Sequence, residues 1–210
     1  MNSEYIAVDV EATGSTPAKA SLISIGACLV EKPKIRFYRE FAARDEYFEM
    51  AAMKVACLGL KCIKTRQYSN NPQYDASKPE FEPDLVLGAL DERVANGATA
   101  ENAMKSFNTW LKRNTSNPIL ASDCPAFDGM WIHFYFDLYQ IENPFGFGGM
   151  NIDSFYRGLV GDPNERLKDS EFWQGEISHN ALEDAVQQAE ALQRMLDHIK
   201  QKKRKTRGKK

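Results

Sequence analysis

The chain has 210 residues, of which 43% are apolar and 27% charged, enough for one domain with a real core and too apolar for a disordered chain. No run approaches a membrane span in length, and Asp9 and Glu11 interrupt the first apolar stretch, which is unlike a secretory signal. The net charge of −2 hides an asymmetry: residues 200–210 hold eight of the 27 basic residues and no acid, so the preceding 199 residues carry a net charge of −10. The chain therefore divides into a folded part, 1–199, and a basic tail, 200–210. Blocks of like charge repel and stay unfolded, so the tail reads as disordered, either solvated or holding a polyanion. Cys28, Cys57, Cys62 and Cys124 form no zinc-ligand spacing, and reduced thiols in a cytoplasmic protein are the default.

In chain order, residues 4–11 read as an apolar strand ending in an acidic pair. Residues 21–31 and 35–41 read as two more strands, with short links that suggest an antiparallel meander. Residues 45–64 read as a helix. Residues 66–83 read as a proline-bearing loop carrying Tyr68, Tyr74 and Phe81. Helices are expected at 84–95 and 100–113, the second capped by Thr99. A strand at 118–122, a helix at 126–140 and a strand at 150–154 follow, then a loop over 161–178. The last helix is expected at about 180–200, with Asn180 as N-cap and Glu183 completing a capping box. The order gives one mixed α/β domain of about five strands, the first three antiparallel, flanked by helices.

Three patches carry candidate chemistry. Asp9 and Glu11, two apart on a strand, point to one face. Buried carboxylates cost several kcal/mol each unless something pairs them, so either the strand end meets solvent or hard cations such as Mg²⁺ or Mn²⁺ sit between them. Thr13-Gly14 then breaks the strand and lets backbone approach a ligand. Asp128 follows Phe127 at a helix start, with Asp123 as its rival; charge alone does not separate the two. His179 precedes the last helix and Asp184 lies in its first turns, an offset that suits a base beside a metal. His133 and His198 read as structural or surface residues.

Taken in order, these patches resemble the DEDDh exonucleases of the ribonuclease-H-like superfamily. The Asp-x-Glu-x-Thr-Gly motif is matched by Asp9, Glu11, Thr13 and Gly14, the second by Phe127-Asp128, and the third, His-x₄-Asp, by His179 and Asp184. Ile23-Ser24-Ile25-Gly26-Ala27 looks like the family's second strand, and the resemblance runs from about residue 4 to 198. It decides for Asp128 over Asp123. It departs where many members have a His-Asn pair, since this chain has Asp123-Cys124 there, and segment 43–98 is longer than small members need.

The resemblance implies a 3′–5′ exonuclease releasing nucleoside 5′-monophosphates from single-stranded RNA or DNA 3′ ends. It implies two Mg²⁺ or Mn²⁺ ions held by Asp9, Glu11, Asp128 and Asp184, with His179 as general base; the ordinary imidazole pKa of about 6.5 suits that role. It also implies substrate contacts at Ala12, Thr13 and Phe127 and, since members are often dimers, a homodimer. Phe172-Trp173 and the aromatics of the 66–83 loop are candidates for stacking on bases. A catalytically silent nucleic-acid-binding or partner-binding relative is the alternative; the presence of every acid and the histidine speaks against it.

Overall fold

The computed structural model describes residues 4–207, with side chains described to Arg204. Strands β1 (Glu4–Ala12), β2 (Leu22–Leu29) and β3 (Lys32–Glu40) form the antiparallel meander. Strands β4 (Pro118–Ser122) and β5 (Gly149–Asn151) add in parallel, giving the order β3-β2-β1-β4-β5. This is the expected mixed five-stranded sheet.

Alternation along β1 divides the molecule. Ile6, Val8, Val10 and Ala12 pack with Phe107, Trp131 and Phe136 under α3 (Ala100–Asn114) and α4 (Asp128–Leu138). The opposite face, begun by Ala7 and Cys28, packs on α5 (Ile152–Val160) and α6 (Ala181–Arg207). Asp9 and Glu11 continue that second face, as period-two geometry requires. A third apolar cluster lies under α1 (Met50–Ala56) and α2 (Pro83–Asp91). Among the described residues no helix is long and apolar enough to cross a membrane.

Three elements differ from expectation. The helix expected over 45–64 is only α1, because the chain after Cys57 turns to give the Lys61 and Cys62 N–H groups to the buried Glu40 carboxylate, at 2.9 Å for Cys62. Helix α5 was not anticipated; its nine residues follow directly on the three-residue β5, and Asn151 caps it by accepting from the Ser154 N–H at 2.6 Å. Helix α6 runs on to Arg207, past the expected end near 200, so the basic segment is helical as far as it is described, and residues 208–210 lie outside the described residues.

The aromatics of the 66–83 loop are structural. Tyr68 and Phe81 are buried, Tyr74 lies 4.6 Å from Tyr68, and the Tyr68 hydroxyl donates to Glu92 at 2.7 Å, which corrects the expectation that they stack on bases. Phe172 is likewise buried against Tyr156 and His198.

Candidate active site

The site lies where β1, β4 and α6 meet. Past Ala7, β1 loses its pairing with β4, and the Val10 N–H is satisfied by Asp128 Oδ1 at 3.1 Å. The other Asp128 oxygen accepts from the Ser122 hydroxyl, which itself accepts from the Cys124 N–H at 2.9 Å. Asp128 thus reaches the acidic end of β1 from the start of α4.

The first turn of α6 crosses the same face. A Cβ on Gly26 would lie 2.1 Å from the Ala181 carbonyl carbon, and one on Gly59 would lie 1.9 Å from the His179 carbonyl oxygen. Only glycine lets backbone approach this closely. Asn180 fixes the crossing: its Oδ1 accepts from the Glu183 N–H at 3.3 Å, and its Nδ2 donates to Gly59 O at 2.7 Å and to the Tyr38 hydroxyl at 2.9 Å. Asn180 caps the helix as expected. The reciprocal half of the capping box is replaced, because the Asn180 N–H goes to Ser178 Oγ at 3.1 Å. Ser178 also donates its N–H and hydroxyl to Asp184 Oδ1, at 2.9 and 3.1 Å.

This crossing leaves His179 with φ of +53°, in the left-handed region that a non-glycine residue adopts only when its surroundings impose it. Glu11, His179 and Asp184 each present a ligand atom, all within 4.8 Å of one another. Asp9 lies among Asp128, Glu11 and Asp184, whose charges it feels directly. The four acids and the histidine, drawn from three distant segments, are therefore brought together.

The electrostatics are those of an uncompensated anionic cluster. Burial first, then repulsion from Asp128, Glu11 and Asp184, holds the Asp9 carboxyl well above the usual range. Burial and then Asp184 and Asp128 do the same for Glu11. Burial pushes Asp128 up to about 7, opposed by the Ser122 hydrogen bond. Among the described residues no lysine or arginine pairs with any of the four. Oxygen-only carboxylate ligands with no counterion are the donor set that hard divalent cations take, so the residues present fit such ions.

A linkage follows. Groups whose folded pKa is raised give stability that is complete below their unfolded value, near 4, and is lost as pH rises through the folded value. In EDTA, Tm is expected to fall by several degrees as pH rises from about 5 to about 8, and Mg²⁺ or Mn²⁺ should restore it at the upper end by binding the folded state. Scanning fluorimetry checks this; a Tm that is flat or rising over that range in EDTA contradicts it.

Four residues of this site were not singled out from the sequence. Gln188, one helical turn after Asp184 and 2% exposed, donates to Asp9 Oδ1 at 2.9 Å and accepts from the Asp123 N–H at 3.0 Å. The i, i+4 spacing from Asp184 is the signal that could have found it. Ser122, Ser178 and Gly59 had none, because their roles depend on contacts made across the fold. Asp123 lies beside the cluster, adding to the repulsion at Asp9 and Asp128, and pairs with Lys168 at 3.1 Å. Thr13 is fully buried; its N–H donates to Ser21 O at 2.8 Å, and its hydroxyl donates to Tyr47 O and accepts from the Ser21 N–H, both at 2.9 Å. No N–H of Thr13 is left for a nucleotide. Ala12 is buried beside it, and half-buried Phe127 packs edge-on to Trp131.

No family model matches the chain. A curated Escherichia coli relative, the 3′-5′ DNA exonuclease Cap18, is 29% identical over a 213-residue alignment covering 95% of each chain. The chain is thus similar to a 3′–5′ DNA exonuclease over nearly its whole length. The nuclease domain of 3′hExo, a DEDDh family member bound to rAMP, shares the fold with a TM-score of 0.61 at 15% identity, over 93% of this chain and 92% of that one. E. coli exonuclease I in complex with a dT13 oligonucleotide matches with a TM-score of 0.57 at 12% identity, over 94% of this chain and 43% of that one.

Close backbone approach at Gly59 holds the His179 peptide in place. Gly59→Ala is expected to destabilise the fold by about 1–3 kcal/mol through overpacking against the His179 peptide, and to slow any activity that needs His179. Gly88→Ala on α2, where a Cβ meets nothing within 4 Å, is the control and should be neutral or stabilising. Denaturant unfolding of both variants checks the pair; equal stabilities contradict the account.

Proposed function

We propose that the protein is a metal-dependent 3′–5′ exonuclease that hydrolyses single-stranded nucleic acid from its 3′ end to nucleoside 5′-monophosphates. The observation that carries this is the convergence of four carboxylates with no cationic partner, beside a histidine held in a strained backbone conformation. Asp9, Glu11, Asp128 and Asp184 would hold two divalent cations, which when bound supply Lewis-acid stabilisation of the attacking and leaving oxygens. Gln188 and Ser122 fix the orientations of Asp9 and Asp128. Ser178 fixes Asp184. His179 takes the proton from the attacking water, with Gly59 and Asn180 holding its peptide in place. DNA is the first substrate to test, because the near-full-length relative is a DNA exonuclease.

The test is digestion of 5′-labelled and 3′-labelled single-stranded DNA and RNA with Mg²⁺ or Mn²⁺. A descending ladder from the 5′ label, with immediate release of a mononucleotide from the 3′ label, is expected. Internal cuts, or cleavage undiminished in EDTA, would overturn the reading.

A further inference from the structure

Away from the carboxylate cluster, the strongest unassigned feature is a basic groove along the free edge of the sheet. Strand β3 is the edge strand, and helix α3 lies beneath it. Between them run two adjoining cavities of about 800 and 410 Å³, which share Tyr38, Arg39 and Ser106 in their walls. Thr99 and Arg113, at the two ends of α3, both line the groove, giving it a length of about 20 Å at 1.5 Å per residue.

Its charge is opposite to that of the body. Arg36, Arg39, Lys61, Arg93, Lys105 and Arg113 line it, against two carboxylates, Glu40 and Glu92. Both carboxylates are already engaged: Glu40 is buried and accepts from Tyr38, Lys61, Cys62 and Arg93, and Glu92 accepts from Tyr68. Arg36, Arg39, Lys61 and Arg113 are exposed and pair with no carboxylate among the described residues. Lys105 is held by Glu101 at 2.6 Å, and both are at least half exposed, so a polyanion can compete for it. Half-buried Trp110 lies in the same wall, on Phe37 and Phe107 at 5.9 and 6.0 Å. Unpaired cations interleaved with an aromatic ring are what the backbone and bases of a single strand require.

The groove also opens at the right end of the sheet. Glu40 is paired with Ser24, and Ser24 with Glu11, so its inner mouth is two strands, about 10 Å, from the carboxylate cluster. We propose that this groove is a second nucleic-acid site, which takes the upstream part of the single strand whose 3′ end occupies the catalytic centre. The inference rests on the exonuclease reading. An acidic polypeptide is the competing occupant, and the proximity to the cluster together with Trp110 favours nucleic acid.

The test is the full-length triple variant Arg36→Glu, Arg39→Glu, Arg113→Glu, compared with wild type on single strands of about 20 and about 4 nucleotides. Arg36 and Arg39 donate only to the nearby Pro33 and Tyr38 carbonyls, at 2.6 and 2.7 Å, and Arg39 lies over Phe37, so an unchanged Tm is the check that the triple variant folds as wild type does. KM for the long strand is expected to rise at least about tenfold, with kcat unchanged and the short strand unaffected; the slope of log affinity against log salt should flatten by about 2. An equal effect on both lengths, or none on either, overturns the proposal, as does a polyglutamate competitor that displaces the long strand as well as an unlabelled oligonucleotide does. If wild type shortens neither strand, the exonuclease reading has failed. Binding of the labelled long strand by Asp9→Asn protein, measured by fluorescence anisotropy with and without the triple substitution, still decides the groove by itself: weakened binding supports it and unchanged binding overturns it.

Discussion

Asp9→Asn is expected to reduce kcat by on the order of 10³-fold or more while raising the thermal stability of the metal-free protein. The loss follows from removing a charge at the centre of the cluster, where cation-mediated stabilisation of the reacting oxygens amounts to several kcal/mol and each 1.4 kcal/mol is a factor of ten. The gain in stability follows from the same charge. Asp9 is disfavoured as an anion by burial and by Asp128, Glu11 and Asp184, and asparagine removes that repulsion. Its amide oxygen still accepts the Gln188 hydrogen bond, so the local shape is kept. Single-turnover digestion and scanning fluorimetry in EDTA read the two effects separately. A variant that retains full activity, or is inactive because it is less stable, contradicts the account.

His179→Asn is expected to lower kcat by about 10²–10⁴, the range lost with a general base, while Mn²⁺ affinity stays within a few-fold of wild type. Asparagine is chosen because it tolerates the positive φ of +53° at this position, whereas alanine would add backbone strain to the chemical loss. The measurement also separates two roles that proximity alone leaves together. His179 lies near enough to Glu11 and Asp184 to join a ligand set. If Mn²⁺ affinity collapses with activity, the histidine is a ligand and the assigned base is wrong.

Much of the site was legible in the sequence because its members sit on strongly patterned elements. Asp9 and Glu11 end an apolar strand whose alternation puts them on one face. Asn180 marks the start of the last helix, which locates His179 and Asp184 on either side of it. Asp128 was separable from Asp123 only by resemblance, and the fold supplies the physical difference: Asp128 completes the hydrogen bonding of β1 at Val10, whereas Asp123 faces Lys168. The parts that were not legible depend on partners far apart in sequence. The helix read over 45–64 stops after Ala56 because Glu40, twenty-one residues before Lys61, claims the N–H groups that a helix would use. Helix α5 was obscured by the short strand that runs directly into it. Composition does not reveal that the loop aromatics pack on one another and that the Tyr68 hydroxyl is engaged by Glu92. The basic groove joins residues of β3 to residues of α3, so no contiguous motif announces it.

The proposed function requires that four carboxylates from three segments form one two-cation site. The most direct measurement is anomalous diffraction from crystals grown with Mn²⁺ and a nucleoside 5′-monophosphate. Two peaks about 4 Å apart, enclosed by Asp9, Glu11, Asp128 and Asp184, are the predicted result. No manganese peak among these four residues, or Mn²⁺ bound elsewhere while the cluster stays empty, would contradict it.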